Sequence, residues 1–570
     1  MLSARSLSAV FLATAVGLAR APAPASEVSL TDFGSPPAAA APEFRSFDGT
    51  GNNVANPLWG SAGTDYARRA RVDYADGVSA ARLTGRPNPR SVGLALMRQS
   101  GAQPNNRNLS GYVYAFGNFL AHDTDRTNSG STEFVNFTIP PNDDIFRSGQ
   151  TFELTRSVFN ASTGTNASNP RQQTNFTTAF IDGSVIYGSN ATAAAILRGG
   201  PANPGAKLRT SNDINGDAAN LLPRNAFGPN PTASFVAGDD RVNDNVPLTA
   251  LHTVFMREHN RLVDAYAAQH PDWSSEELYQ HARRTVGAQL QAITYNEYLP
   301  ALLGPAAPSP TGGQYNPNLK PAVFNEFAAV FERAGHSMLT PSFLRIQNDG
   351  QAAPGGPVSL IDGFNNPSKL SSSAELSLFL KGLSVEVQDE TDTKIVTDMR
   401  AALLDAIDIQ RARDHGLPDY NTLRQAYGLP RVTSFAGITS DPALRQALTS
   451  LYSNVNSIDP LVGALAEDHL PGSSVGALLA AGLGFQFQLL RDADRFWYER
   501  DSAFTPAELD MLRNTRLSDV IMRNTDLTNL QGNVFFVPEP SAPIILLGVF
   551  ATLACARGKR ETKREPVRKG

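Results

Sequence analysis

Cysteine is almost absent from this sequence: the 570 residues include only Cys555, so no disulfide can form within the chain. A surplus of positive charge is also lacking, because 49 Lys and Arg face 54 Asp and Glu. That balance argues against nucleic acid as a partner. No repeat of about 20–50 residues is present, which argues against solenoids and propellers. Because no disulfide can form within the chain, its stability must come from a large apolar core, a bound cofactor or a metal.

The apolar pattern of the body predicts helices separated by loops. With 45 Gly and 39 Pro, the chain is expected to contain long irregular connections. Ser274 and Glu277 have the spacing of a capping box, and the helix that follows is expected to end at Pro300. A second helix is predicted from Leu248 to about Ala267, whereas strand-like alternation is brief everywhere. We expect a mainly α protein, with a single large helical domain, long irregular loops and little β structure.

Both ends of the chain carry patterns typical of export. Residues 1–25 combine an early arginine, a short apolar core and a small-residue cleavage zone, as in a signal peptide. Residues 26–45 are rich in Pro and Ala and predict a linker, so that the folded body spans residues 46–536. Residues 537–570 begin with Val-Pro-Glu-Pro, continue with an apolar run and end with a basic cluster.

This C-terminal tail resembles the PEP-CTERM sorting tag of Gram-negative bacteria. The resemblance implies an exosortase-type processing enzyme as a partner, contact with a membrane only through the C-terminal helix, and a secreted or cell-surface location. The apolar run from Ala542 to Ala556 is marginal as a membrane span. A permanent single-pass anchor is the alternative.

The stretch from Phe116 to Arg126 holds the first candidate site residues. On a helix, Asn118 lies one turn before His122 on the same face, so the two can present an amide and a proton acceptor to a flat ligand. Asp123 follows directly and begins a series of hard oxygen donors suited to a cation. A core histidine followed by a capped acidic turn is the alternative.

The stretch from Thr178 to Ser184 places oxygen-bearing groups at every second position. In an extended segment Thr178, Asp182 and Ser184 point the same way, and with the Phe180 carbonyl they could form half of a calcium cage. Asp123 could supply the other half. An ordinary turn is the alternative.

Three more residues become candidates through their surroundings. Arg241 lies in a polar loop before a long helix, His336 follows small residues that would admit a flat ligand, and Asp408 lies in a densely charged helix end. Considered separately, each has a simpler interpretation. Arg241 would be a surface arginine, His336 a core histidine and Asp408 part of a salt-bridged helix terminus.

Together these stretches resemble the animal-type haem peroxidase superfamily over residues 46–536. Four further motifs carry the resemblance: Arg257–Arg261, Tyr295–Pro300, Gln410–Pro418 and Leu490–Tyr498. The resemblance implies that His122 is the distal base, Arg241 the distal arginine and His336 the proximal iron ligand. It also implies haem b as cofactor and a calcium ion bound by five residues: Asp123, Thr178, Phe180, Asp182 and Ser184.

The chain departs from the family pattern at several of these positions. Asn118 stands where glutamine is usual, and Asp408 replaces the asparagine that usually meets the proximal imidazole. Ala121 and Asp244 occupy the places of two carboxylates that form esters with the haem in mammalian members, and Asn245 that of a methionine link. At most one ester link, through Asp244, is therefore expected.

The expected function is that of a secreted or surface haem peroxidase that reduces hydrogen peroxide and oxidises small electron donors, with halides among the candidates. A fatty-acid dioxygenase of the same fold is the alternative; it would need a substrate channel and a radical tyrosine that the sequence does not locate. A non-catalytic surface or matrix protein is a third reading, which the joint presence of His122, Arg241 and His336 disfavours.

Overall fold

The computed structural model describes residues 43–199, 205–215, 219–225, 232–311 and 313–538. The expectations for the signal peptide, for nearly all of the linker and for nearly all of the C-terminal tail concern residues outside these ranges. Within them, none of the helices has the length and apolar character needed to cross a bilayer.

Eighteen α-helices account for most of the regular structure in the described ranges. In chain order they are α1 Pro89–Leu96, α2 Tyr112–Thr124, α3 Ser184–Tyr187, α4 Ala191–Leu197, α5 Ser211–Asn215, α6 Val246–Gln269, α7 Ser275–Ile293, α8 Leu299–Leu303, α9 Leu360–Gly363, α10 Ser373–Val385, α11 Thr397–Ala401, α12 Leu404–Asp414, α13 Tyr420–Ala426, α14 Pro442–Leu451, α15 Pro460–Ala466, α16 Ala477–Asp492, α17 Pro506–Asn514 and α18 Leu517–Asn524.

The β structure of the described residues consists of short antiparallel pairs. The ten strands are β1 Thr64–Asp65, β2 Ser129–Phe134, β3 Phe137–Thr138, β4 Thr151–Phe152, β5 Thr155–Ser157, β6 Thr174–Asn175, β7 Arg198–Gly199, β8 Lys207–Leu208, β9 Ser342–Phe343 and β10 Val358–Ser359. They pair as β1 with β6, β2 with β5, β3 with β4, β7 with β8 and β9 with β10. The mainly helical fold expected from the sequence is confirmed.

The predicted helix pair forms the centre of the core. α6 and α7 pack against each other, and α2 packs against α6. α6 begins at Val246 because the Asn245 side chain caps it by accepting the Leu248 N–H at 2.9 Å. The capping box of Ser274 and Glu277 is present at the start of α7.

Pro300 does not end that helix as expected. After α7 the chain continues through a π-helical turn, Thr294–Tyr298, directly into α8. Pro300 is the second residue of α8, which directly follows the π-helical turn, and the helix continues through it. The prediction failed because a proline just after a π-turn is compatible with continued helix.

Three short segments complete the surroundings of the site. A 3₁₀ turn, Asp240–Asn243, precedes α6, and a π-helical turn, Phe327–Phe331, leads into a 3₁₀ helix, Glu332–Ser337. The latter helix packs against α2, and the π-helical turn packs against α12. α2 and α12 are thereby brought to one internal cavity.

Candidate active site

The cavity has a volume of about 450 Å³ and is lined by side chains from distant parts of the sequence. A volume of this size lies within the range of small-molecule and cofactor sites. The candidate residues that the structure places in its wall are Asn118, His122, Arg241, Asp244, His336 and Asp408.

A chain of hydrogen bonds orients His122 on α2. Asn245 uses its Oδ1 to cap α6, so its Nδ2 donates to Asn118 Oδ1 at 3.2 Å. The Asn118 Nδ2 therefore faces His122 Nε2, also at 3.2 Å. His122 Nε2 is then the acceptor nitrogen and Nδ1 carries the hydrogen, which has no partner among the described residues.

Burial is the main reason why the pKa of His122 lies well below its ordinary value. The positive charge of Arg241 lowers the pKa of His122 further. The imidazole is consequently neutral at physiological pH and has a lone pair available for a proton. A neutral, oriented imidazole in the wall of a cavity is suited to general base catalysis.

Arg241 is held in place by Asp239 and by backbone carbonyls of the α2 end. Its Nε and Nη2 donate to the two Asp239 oxygens at 2.9 and 2.7 Å, and Nη2 also donates to the Asp125 carbonyl at 2.8 Å. Burial opposes ionisation of Asp239, but the charge of Arg241 outweighs it and holds the pKa of Asp239 below its ordinary value. Arg241 is therefore a fixed cation beside His122.

His336 and Asp408 meet in the same cavity. The His336 Nδ1 lies 2.7 Å from Asp408 Oδ2, which orients the ring and leaves Nε2 without a hydrogen-bond partner among the described residues. An imidazole with one nitrogen bound to a carboxylate and the other free is a common arrangement for a metal ligand. These two residues therefore fit a histidine that would hold iron and the carboxylate that orients it.

Asp244 also lines the cavity. Burial raises the pKa of Asp244 to about 7, against the opposing effect of Arg241. Ala121, on the His122 helix, offers no carboxylate, and Asn245 is engaged with Asn118. Asp244 is thus the one carboxylate among the three positions at which the resemblance locates covalent haem links.

Four of the five calcium candidates, Asp123, Thr178, Asp182 and Ser184, are joined by hydrogen bonds, although the local conformation differs from the expected one. Residues 179–183 form a bend rather than an extended segment, with Gly183 at φ 79°. Asp182 accepts hydrogen bonds from the hydroxyls of Ser184 and Thr178 at 2.6 and 3.0 Å. The Phe180 carbonyl accepts no hydrogen bond from the described residues. The bend, not strand alternation, brings the side-chain oxygens of Thr178, Asp182 and Ser184 together.

Asp123 joins this group from the end of α2. Its carboxylate accepts backbone N–H bonds from Asp182, Gly183 and Val185 at 3.0, 3.2 and 2.9 Å. Burial and then the negative charge of Asp182 raise the pKa of Asp123 to about 8. Two buried carboxylates with nearby hydroxyls and a free carbonyl form an oxygen donor set that suits calcium. Within the described residues, no cluster of three or more His, Cys, Asp or Glu has metal-binding geometry.

Sequence reasoning did not identify three further residues of the site. Asp239 clamps Arg241, while Glu332 and Arg333 line the cavity and form an ion pair at 2.9 Å. All three lie inside the stretches that contain Arg241 and His336. Their charge was visible in the sequence, but which of them face the cavity depends on the 3₁₀ geometry of both segments.

The profile of the family described as "Animal haem peroxidase" matches residues 44–535 of the chain. The chain belongs to this family. The expected family is thereby confirmed, and the fit of His336 and Asp408 to an axial iron ligand agrees with a haem-binding family.

Comparisons with individual proteins agree with this family assignment. The peroxidasin homolog of Mus musculus is 31% identical over 558 residues, which cover 87% of this chain and 38% of that protein. The chain thus spans well under half the length of this relative. Peroxidase A from Dictyostelium discoideum superposes with a TM-score of 0.77 at 29% identity, covering 87% of this chain and 100% of the other.

A fatty acid α-dioxygenase of Oryza sativa shares the fold as well. It superposes with a TM-score of 0.74 at 20% identity and covers 88% of each chain. At that identity the likeness concerns the fold alone. Because the fold alone does not specify the reaction, the residues that line the cavity must indicate the chemistry of this chain.

Proposed function

We propose that this chain is a haem-dependent peroxidase that reduces hydrogen peroxide and oxidises small electron donors. One observation carries the proposal: a neutral oriented histidine, a fixed arginine and a carboxylate-bound histidine line a single cavity. The whole activity needs these three together, because peroxide cleavage requires a proton acceptor, a stabilising charge and an axial ligand for iron.

His122 takes a proton of bound peroxide at Nε2, the nitrogen that accepts the Asn118 amide in the resting arrangement. The same nitrogen returns the proton to the departing oxygen, so that water rather than hydroxide leaves. The bonds of Asn245 to Asn118 and of Asn118 to His122 fix Nε2 as the nitrogen that carries the lone pair. The depressed pKa of His122 keeps it competent as a base at neutral pH.

Arg241 supplies a positive charge that does not move during the reaction. Its bonds to Asp239 and to the Asp125 carbonyl fix the guanidinium before peroxide arrives. Negative charge that develops on the departing oxygen is thereby stabilised without reorganisation of the protein.

We propose haem b as the cofactor, with His336 as the residue that holds its iron and Asp408 as the partner of that histidine. Bound haem supplies peroxide binding at iron and the one-electron oxidation of donors. At most one ester link is proposed, through Asp244. Acid–butanone extraction after cycling with peroxide tests this, since free haem in the organic layer, or retained haem with a single link to Asp244, is expected and a doubly attached haem would contradict it.

The His122→Ala variant tests the proposed function. Haem is expected to remain bound, whereas the reaction with peroxide should slow by ~10²–10⁴, the usual contribution of a positioned acid–base group. His270→Ala is the matched control, because His270 stacks on Trp273 and does not line the cavity. An unchanged rate in His122→Ala would remove the proposed base.

Two further measurements separate the alternatives. A wild-type protein that binds haem but neither consumes peroxide nor oxidises a dye donor would support the non-catalytic reading. Oxygen uptake with palmitic acid, without added peroxide, would support the dioxygenase reading instead.

We also propose a calcium ion bound by Asp123, Thr178, Phe180, Asp182 and Ser184. The oxygen donors described above support it, as does the cost of burying two carboxylates without a cation. Because Asp123 adjoins His122, the ion would fix the end of α2 that carries the base.

We further propose that the protein is exported by a Gram-negative bacterium and sorted at its surface through its C-terminal tail by an exosortase-type enzyme. The pattern of residues 537–570 supports this. Intact mass of the mature protein tests it: cleavage near residue 25 and near the Val-Pro-Glu-Pro segment is expected. A mature protein that retains its apolar and basic tail would show a permanent anchor.

A further inference from the structure

A row of aromatic rings leads from the cavity towards the protein surface. Phe487 lines the cavity, and the ring of Tyr295 lies 6.2 Å from it, centroid to centroid. Trp497 follows at 4.7 Å from Tyr295, and Tyr498 at 5.0 Å from Trp497. Each step lies within the range of direct ring contact. The row therefore contains three oxidisable side chains in continuous contact.

The three oxidisable rings are shielded from solvent. The exposed fractions of Tyr295, Trp497 and Tyr498 are 1%, 2% and 1%. Tyrosine and tryptophan are the side chains that can lose one electron most readily besides thiols, and burial protects the resulting radicals from quenching. None of the three is used in the proposed peroxide chemistry.

The hydroxyl groups of the two tyrosines differ in where a proton can go. Tyr295 donates to the Phe487 carbonyl, a group too weakly basic to keep a proton. The Tyr498 hydroxyl has no hydrogen-bond partner among the described residues, and after burial the charge of Glu499, the next residue in the chain, contributes to raising the pKa of Tyr498. Glu499 is paired with Arg513, whose side chain is 47% exposed. Tyr498 is thus the member of the row that adjoins a carboxylate with an ion pair to the surface residue Arg513.

We propose that Tyr295, Trp497 and Tyr498 form an electron-transfer relay that allows the enzyme to oxidise donors too large for the cavity. The inference rests on the proposed peroxidase function, which supplies the oxidant. One electron leaves Tyr498, passes through Trp497 and Tyr295 and is accepted in the cavity by haem that hydrogen peroxide has oxidised. The Tyr498 O–H bond breaks, its proton moves to the Glu499 carboxylate, and a neutral tyrosyl radical remains.

The relay is completed at the surface. A one-electron donor near Arg513 reduces the Tyr498 radical, and the proton returns from Glu499 to the phenolic oxygen. Donors of the class of large phenols, which are oxidised by one electron, fit this step. Small donors continue to react in the cavity.

Electron paramagnetic resonance of haem-loaded protein, freeze-quenched after hydrogen peroxide, tests the relay. In protein carrying ring-deuterated tyrosine, the wild type is expected to show a tyrosyl radical with deuterium-narrowed lines. Trp497→Phe and Tyr498→Phe should lose this signal. Trp273→Phe, the matched control, should retain it, because Trp273 stacks between His270 and His281 and has no ring contact with the row.

Two conservative variants test whether a lost radical signal reflects the relay rather than misfolding. Tyr498→Phe keeps the ring, and the hydroxyl that it removes has no hydrogen-bond partner among the described residues. Glu499→Gln keeps the side-chain shape but removes the proton acceptor, so the radical is expected to shift from tyrosyl to tryptophanyl in character. Oxidation of a polymer-linked phenol should fall in these variants, while oxidation of a small donor stays unchanged.

The outcomes separate the relay from the function on which it rests. A tyrosyl signal of equal strength in wild type, Trp497→Phe and Tyr498→Phe overturns the relay alone, provided that peroxide is consumed. Peroxide consumption without any protein radical also overturns it. If the wild type consumes no peroxide, the proposed function fails and the relay fails with it.

Discussion

At the level of single residues, the carboxylate of Asp408 lies 2.7 Å from His336 Nδ1, at a position where the resemblance leads us to expect an asparagine. A carboxylate at Nδ1 gives the imidazole partial imidazolate character and makes it a stronger electron donor to iron. That effect lowers the reduction potential of a bound haem and favours its higher oxidation states. The identity of residue 408 would thus adjust the chemistry without any change at His336, the proposed ligand.

Asp408→Asn should therefore bind haem normally but raise its reduction potential, because the amide is a weaker acceptor for His336 Nδ1–H. Spectroelectrochemical titration measures the potential. His336→Ala provides the contrast, since it removes the axial bond and should prevent stable haem incorporation. Equal potentials in Asp408→Asn and wild type would show that Asp408 does not act on the iron.

The pH dependence of the peroxide reaction should reflect the depressed pKa of His122. Because burial and Arg241 both disfavour the imidazolium, the wild-type rate should stay constant as pH falls through 6.5, the ordinary value, and drop only at lower pH. In Arg241→Gln the lost positive charge raises the pKa of His122, so the drop should move to higher pH. Stopped-flow rates across pH test this, and a shift to lower pH would contradict it.

At the level of secondary-structure elements, the proposed calcium site connects two segments that are distant in sequence. Asp123 lies in the last turn of α2, and residues 178–183 lead into α3, which begins at Ser184. Without a cation, the three backbone N–H bonds to Asp123 are the described contacts that join this carboxylate to the bend. A metal at this junction would stabilise the folded state by binding it and not the unfolded chain.

Asp182→Ala, or removal of calcium by a chelator, should lower both the melting temperature and the activity. The activity falls because the end of α2 that carries His122 loses its support. Asp264→Ala is the matched control, since the Asp264 side chain is 60% exposed and lies far from this junction in the sequence. Metal analysis of the native protein that finds no calcium would refute the prediction.

At the level of the whole molecule, the described domain is stabilised by packing and buried ion pairs rather than covalent links. One large apolar cluster runs through the domain, and a small second one lies around Phe137 and Leu403. Buried pairs such as Arg90 with Asp405 and Arg413 with Asp459 join distant segments at 2.8 and 2.7 Å. Replacing one partner of such a pair by a neutral residue would leave the other as an uncompensated buried charge and destabilise the fold.

The thermal stability of the protein should accordingly be insensitive to reductant, because the one cysteine has no partner within the chain. Loading with haem should raise the melting temperature, since haem binds the folded state. Scanning calorimetry with and without dithiothreitol, in apo and haem-loaded protein, measures both effects. Destabilisation by reductant would indicate a disulfide between chains.

The sequence by itself determined the mainly helical fold and the family, because helical periodicity and short motifs are local properties. It also named most of the candidate residues, which lie inside recognisable stretches such as those around His122 and His336. It misjudged Pro300 and the conformation of residues 178–184, since a π-turn and a bend are set by the neighbouring helices rather than by local pattern.

Only the tertiary structure decided which side chains act together. The spacing of Asn118 and His122 is visible in the sequence, but Asn245 lies 127 positions from Asn118, and their hydrogen bond fixes which His122 nitrogen accepts a proton. Likewise, Asp239 becomes the clamp of Arg241 because a 3₁₀ turn directs both side chains to the same place. Protonation states, tautomers and ring contacts depend on distances across the fold, which no local pattern encodes.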